Sequence, residues 1–77
     1  MDEIMNILKE MRPEFDFSAS SDFVEDGLLD SFDIIGLVST LEEKYDVLID
    51  GLDIVPENFC SVEAIVDLVN RNGGNLN

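Results

Sequence analysis

The chain has 77 residues, 45% of them hydrophobic, and a formal net charge of -14 from 18 acidic and four basic side chains. That length supports one small domain and argues against a deep enzyme cleft beside a separate core. The apolar content is high enough for folding, and the charge argues against nucleic acid and anionic membrane surfaces, which need clustered Lys and Arg.

From the N-terminus, Ile4, Ile7, Leu8 and Met11 recur at helical spacing and predict a first helix, stopped near Pro13. Its charges every few residues leave no apolar core for a signal peptide, and no stretch approaches the length of a membrane helix, so a soluble, unprocessed protein without membrane insertion is expected. From Pro13 to Asp30 the periodicity disappears, and Phe15, Phe17, Phe23 and Val24 read as apolar anchors of a long loop. Loops of this length in small domains are usually functional or disordered, and the aromatic anchors favour function.

From Phe32 onward, Ile34, Leu37, Val38, Leu41 and Tyr45 share one helical face, the clearest pattern in the chain. Residues 46–55 read as a linker, with a short strand conceivable over Val47 to Ile49 but no evident partner for it. Pro56 to Phe59 suits a single helical turn opened by proline. Ser61 is a candidate N-cap for a last helix carrying Val62, Ile65, Val66 and Val69, closed by Gly73-Gly74, after which the tail to residue 77 is expected to fray. No internal repeat is present. The expected fold is therefore all-α, one domain over residues 1–77: a small bundle of three main helices plus a short additional one, with a long first loop. The one cysteine, Cys60, permits no internal disulfide or cysteine-based zinc site; it reads as a small buried apolar residue in a cytoplasmic protein.

The segment Gly27-Leu28-Leu29-Asp30-Ser31-Phe32-Asp33 stands where the loop meets the second helix. Two residues compete for the N-cap. If it is Ser31, its hydroxyl is occupied by a backbone N–H. If it is Asp30, Asp33 falls at the third helical position, where negative charge suits the dipole, and the Ser31 hydroxyl points to solvent beside the positive end of the helix, a place that stabilises an attached phosphate. On spacing alone a plain helix start is the expected reading of the serine, since Asp-Ser before an apolar run is the usual N-terminal signature.

Those residues, the Ile34 to Tyr45 helix with Glu42-Glu43, the acidity and the order of helices together resemble acyl carrier proteins and their peptidyl and D-alanyl relatives, over nearly the whole chain. The resemblance implies that Ser31 carries 4′-phosphopantetheine, that Asp30 is recognised by the phosphopantetheinyl transferase and its metal site, and that Gly27 makes the preceding turn. It implies that Phe32, Asp33, Ile35, Glu42 and Glu43 face basic docking patches on acyl- or aminoacyl-transferring and synthase enzymes. The chain would itself catalyse nothing, working as a monomer that delivers thioester-bound cargo in fatty acid, polyketide or related biosynthesis; aminoacyl and D-alanyl carriers are alternatives. Ile34, Val38, Ile54 and Ile65 are candidates either to shelter an acyl chain or to pack the core. Phe32 departs from the commoner leucine or methionine, Gly36 stands where many fatty-acid carriers are acidic, and residues 46–55 are longer and more apolar than usual. Gly36 costs the helix stability, which suggests close approach of another backbone or a cargo.

Three other readings compete. A serine hydrolase lacks a base, since the chain has no histidine. Asp22, Asp26, Asp30 and Asp33 can be laid on a calcium loop, but Val24 occupies a ligand position and the last ligand is not glutamate. A non-enzymatic acidic adaptor explains the charge but not the Gly27 to Ser31 run.

Overall fold

Three helices form where the apolar periodicity predicts them: α1, Asp2–Met11; α2, Ser31–Tyr45; and α3, Val62–Arg71. The computed structural model describes residues 2–75. The fold is the expected all-α bundle, with no strand among the described residues. Ile4, Ile7 and Leu8 of α1, Ile34, Leu37, Val38 and Leu41 of α2, and Val62, Ile65, Leu68 and Val69 of α3 are buried in one continuous core. Each helix thus hides a stripe that water would disfavour, at roughly 25 cal/mol per Å² of apolar surface removed from water. Met11 and Val66 pack at its edge. No described helix is long and apolar enough to cross a membrane.

The first loop is pinned by aromatics, as its composition suggests. Phe17 and Phe23 are buried, with rings edge to face at 5.1 Å, and Phe15 meets Phe17 in the same manner at 6.4 Å. Such pairs add about 0.5–1.5 kcal/mol beyond the area they bury. Two local structures inside this loop escaped the periodicity. Phe17–Ala19 is a 3₁₀ turn capped by Asp16, whose side chain accepts the Ser18 N–H. Residues 22–28 make one closed helical turn: the Asp22 carboxylate accepts the N–H groups of Val24 and Glu25, and the far end reverses at Gly27, φ +78°. There Gly27 N–H donates to Val24 O and Leu28 N–H to Phe23 O, the paired bonds of a Schellman reversal that glycine reaches without strain. The loop is tied to the start of α3 by Phe23 N–H donating to Cys60 O at 2.8 Å.

No strand forms over Val47 to Ile49, although Val47 and Ile49 are buried. Their segment needs no strand partner because the helix ends supply one: Ile49 N–H donates to Glu42 Oε2 at 3.0 Å, and Asp50 N–H to Asn72 Oδ1 at 3.3 Å. Gly51–Asp53 is a 3₁₀ turn, and the expected additional helix is a 3₁₀ turn over Pro56–Asn58, opened by its proline. Asn58 Nδ2 donates to Asp53 O, and Arg71 reaches back to Asn58 Oδ1 and Asp67 Oδ2. Ser61 caps α3, its hydroxyl accepting the Ala64 N–H. Cys60 is half-buried rather than buried, its Sγ 3.3 Å from Glu57 O, because it lies on the turn that leads into α3 rather than beneath it.

Gly73 and Gly74 belong to the closed end of α3 rather than to a frayed tail. Gly73, φ +99°, donates to Asn70 O and Gly74 to Val69 O, closing α3, and a Cβ on Gly74 would collide with Val69. Leu76 and Asn77 lie outside the described residues.

At the end of α2, Tyr45 Oη donates to Glu3 Oε1 at 3.2 Å, joining it to the first turn of α1. Burial first, then this carboxylate, pushes the phenol up to about 12. The neutral phenol is therefore favoured by folding; its contribution is whole below about pH 10, the unfolded value, and is lost as pH rises toward 12. Tyr45 is the one tyrosine and the chain has no tryptophan, so phenolate absorbance isolates it. The expected midpoint is about 12 in the native protein, and it should fall in Glu3→Gln; a midpoint near the unperturbed value of about 10 in the folded chain would refute the contact.

Candidate functional site

The competition for the cap of α2 is decided for Asp30. Its backbone is extended, φ -100° and ψ -179°, and its Oδ1 accepts the Asp33 N–H at 2.8 Å. Asp33 answers with Oδ2, which accepts the Asp30 N–H at 3.3 Å, so the two aspartates form a reciprocal capping box. Ser31 is consequently the first helical residue, exposed, and its hydroxyl enters none of the described hydrogen bonds. The amide ends of the helix and its positive dipole lie beside it, a setting that accommodates a phosphate on the serine oxygen.

The chain arrives at Ser31 along a fixed path. Gly27 makes the turn, Leu28 and Leu29 both donate N–H groups to Phe23 O, and Leu29 is buried. From the other side Asp33 is held by Arg12, whose Nη2 and Nε donate to Asp33 Oδ1 at 2.8 and 3.1 Å. Arg12 also lies 3.5 Å from Glu14. Partial burial alone would raise the Asp33 carboxyl; the Arg12 and Asp30 hydrogen bonds and the Arg12 charge outweigh it and hold the group below its ordinary value. Arg12 is raised in turn, chiefly by its hydrogen bond to Asp33.

The outer face of α2 exposes Phe32 (73%) and Ile35 (67%), so Ile35 is no core residue. Glu43 is exposed as well, whereas Glu42 is half-buried and spends one oxygen on Ile49 N–H. Asp33 is likewise turned inward, its side chain 13% exposed and paired. The partner-facing set expected from the sequence therefore divides: Phe32, Ile35 and Glu43 face outward, while Asp33 and Glu42 bind their own chain. Gly36 is not explained by close approach within the molecule, since a Cβ there meets nothing within 4 Å. Ile34, Val38 and Ile65 lie in the closed core, and Ile54 stands outside it, partly exposed.

The aspartates of the calcium alignment do not converge. Asp22 caps a turn, Asp26 accepts the Ser20 hydroxyl, and Asp30 and Asp33 cap α2. Among the described residues no cluster of three acidic or cysteine side chains is arranged to hold a metal ion. Arg12 was invisible as a site residue in the sequence, where its partner lies 21 positions away. The Asp22–Gly27 turn, by contrast, had a signal in an aspartate followed by Glu25 at capping-box spacing and then glycine. The chain matches no protein-family model, and no similar protein was found among curated proteins or solved structures.

Two outcomes follow from this geometry. Because Asp33 is held below its ordinary value, its contribution is whole above about pH 4, the unfolded carboxyl range, and is lost as pH falls through the folded value. Asp33→Asn should destabilise the protein by about 1 kcal/mol at pH 7, the usual scale for losing a cap, with the gap to wild type closing in acid; a gap independent of pH in urea titrations would contradict the pairing. Gly36→Ala meets open space and should stabilise α2 by about 1 kcal/mol, raising the thermal midpoint by roughly 4–8 °C.

Proposed function

We propose that the chain is an acyl carrier protein, bearing 4′-phosphopantetheine on Ser31 and delivering acyl groups held as thioesters to successive partner enzymes. The observation that carries this reading is the exposed Ser31 at the first position of α2, relieved of capping by the Asp30–Asp33 box. A serine at the N-cap itself would have its hydroxyl occupied by a backbone N–H. The resemblance to the carrier family in the Gly27 to Ser31 run and in the order of helices supports the same conclusion.

The chain supplies a nucleophile's position and no base for it, as it has no histidine. A phosphopantetheinyl transferase would therefore bring the base and its metal. The Ser31 oxygen attacks the phosphorus that bears the pantetheine of coenzyme A. The new O–P bond forms as the bond to the adenosine bisphosphate leaving group breaks, and the hydroxyl proton passes to the transferase. Asp30, exposed beside the serine, keeps the carboxylate oxygen not used by the cap available to the transferase. Ser31 would hold the arm, which would supply a terminal thiol for carrying cargo as a thioester.

Phe32 and Ile35 offer an apolar contact next to the arm, and Glu43 and the general acidity steer encounters with basic patches, giving fast and reversible docking. Tethering cargo on the arm raises its effective concentration at each partner's active site. With one cysteine, the chain suits a reducing compartment, the cytoplasm, where it would act as a monomer.

Intact mass before and after incubation with coenzyme A and a broad-specificity transferase tests the proposal. Wild type should gain one phosphopantetheine and Ser31→Ala none. An unmodified but folded wild-type protein would turn the assignment toward the acidic adaptor, for which Ser31→Ala is silent.

A further inference from the structure

Of the four basic residues, one stands at the candidate site. Arg71 is spent on α3 and the segment before it, through Asp67, Asp53 and Asn58. Arg12 instead crosses from the end of α1 to the first turn of α2. Its own backbone is anchored on both sides: its N–H donates to Leu8 O at 2.9 Å, and its carbonyl accepts from Phe15 N–H at 3.2 Å. With Nε and Nη2 both on Asp33 Oδ1, the guanidinium is a strut between the two segments, 37% of its side chain exposed.

Arg12 does not act on Ser31 by contact. Residues two apart on a helix point about 200° away from each other, so Asp33 faces α1 while Ser31 faces outward. What the strut controls is the orientation of the turn. Asp33 holds Arg12 with one oxygen and the Asp30 amide with the other, while its own amide is bound by Asp30. Fixing Asp33 to α1 thus fixes Asp30 and the start of the helix together.

We propose that Arg12 is a positioning residue for the transfer onto Ser31, holding the first turn of α2 against the end of α1 so that the serine hydroxyl is presented in one orientation. The proposal rests on the carrier reading. Orientation of a nucleophile governs the chemical step more than binding, and small displacements cost large factors in rate. Docking, by contrast, falls chiefly to Phe32, Ile35 and Glu43 on the outer face of α2, which Arg12 does not touch, while Asp30 stays beside the serine and moves with it. Loss of the strut should therefore lower kcat for modification and leave KM nearly alone.

Both guanidinium bonds fall on the single atom Asp33 Oδ1 rather than forming a two-oxygen fork. An ammonium can meet one oxygen as a point charge, so lysine should rescue here, although it rarely replaces a bidentate arginine.

The test is steady-state modification of Arg12→Ala, Arg12→Gln and Arg12→Lys by the transferase and coenzyme A, well below each thermal midpoint. Folding is checked by circular dichroism, and Glu14→Gln serves as a control that removes Arg12's other carboxylate. For the alanine and glutamine variants kcat should fall roughly tenfold with KM within about twofold, the signature of a misplaced nucleophile. Lysine should recover to within about threefold of wild type, and Glu14→Gln should match wild type. A modified wild type with unchanged kcat in folded Arg12→Gln, or a loss confined to KM, overturns the positioning role and leaves the carrier reading standing. A wild type that takes no phosphopantetheine overturns both.

Discussion

Asp33 is the residue on which the candidate site depends, because it meets three requirements at once. One oxygen accepts the Asp30 amide, which the helix would otherwise leave unpaired, and the other takes the Arg12 guanidinium from a segment 21 residues earlier. Its own amide is bound by Asp30. Helix starts always need acceptors for their orphan amides. Here two aspartates provide them, and the serine between them is left with an uncommitted hydroxyl. A local requirement of helix chemistry thereby decides whether a side chain is structural or available.

The surroundings show how a 77-residue chain builds a defined site with a small core. Phe17, Phe23 and Leu29 are buried beneath the first loop and take the place of a helix in covering the bundle. The loop's backbone groups are met locally, by Asp16, Asp22 and the Gly27 reversal, so the long connection costs few unpaired polar groups. The second connection is managed from outside itself, by Glu42 at the end of α2 and Asn72 just after α3. In the second connection the polar ends of helices hold irregular backbone that carries the buried Val47 and Ile49.

The acidity of the chain divides into two populations with different consequences. Asp22, Asp30, Asp33, Asp50 and Glu42 accept backbone N–H groups and shape the fold. Others, such as Glu43 on the outer face of α2, remain exposed and set the field that a partner meets. A simple count of carboxylates overstates the charge free for recognition, and spacing along α2 does not separate the two kinds. Glu42 and Glu43 are neighbours in sequence and belong to different populations.

Much of the fold is legible in the amino-acid sequence. Periodicity of 3.6 located α1, α2 and α3, since helices that must bury one stripe write it into the order of residues. Ser61 as a cap and Pro56 opening a turn follow from local chemistry, where donor, acceptor and φ all belong to neighbours in the chain, and the turn at Gly27 is what the resemblance to carrier proteins implies. The same local logic narrowed the cap of α2 to Asp30 or Ser31 but went no further, because both residues can accept the same amide. The tertiary structure decided for Asp30, turned Asp33 and Glu42 inward, and left Gly36 in open space. It also replaced the conceivable strand at Val47 to Ile49 with a segment held by two helix ends. Two of these outcomes rest on groups distant in sequence, Arg12 with Asp33 and Asn72 with Asp50. A contact across 21 or 22 residues leaves no mark in local spacing, because only folding of the chain brings its partners together.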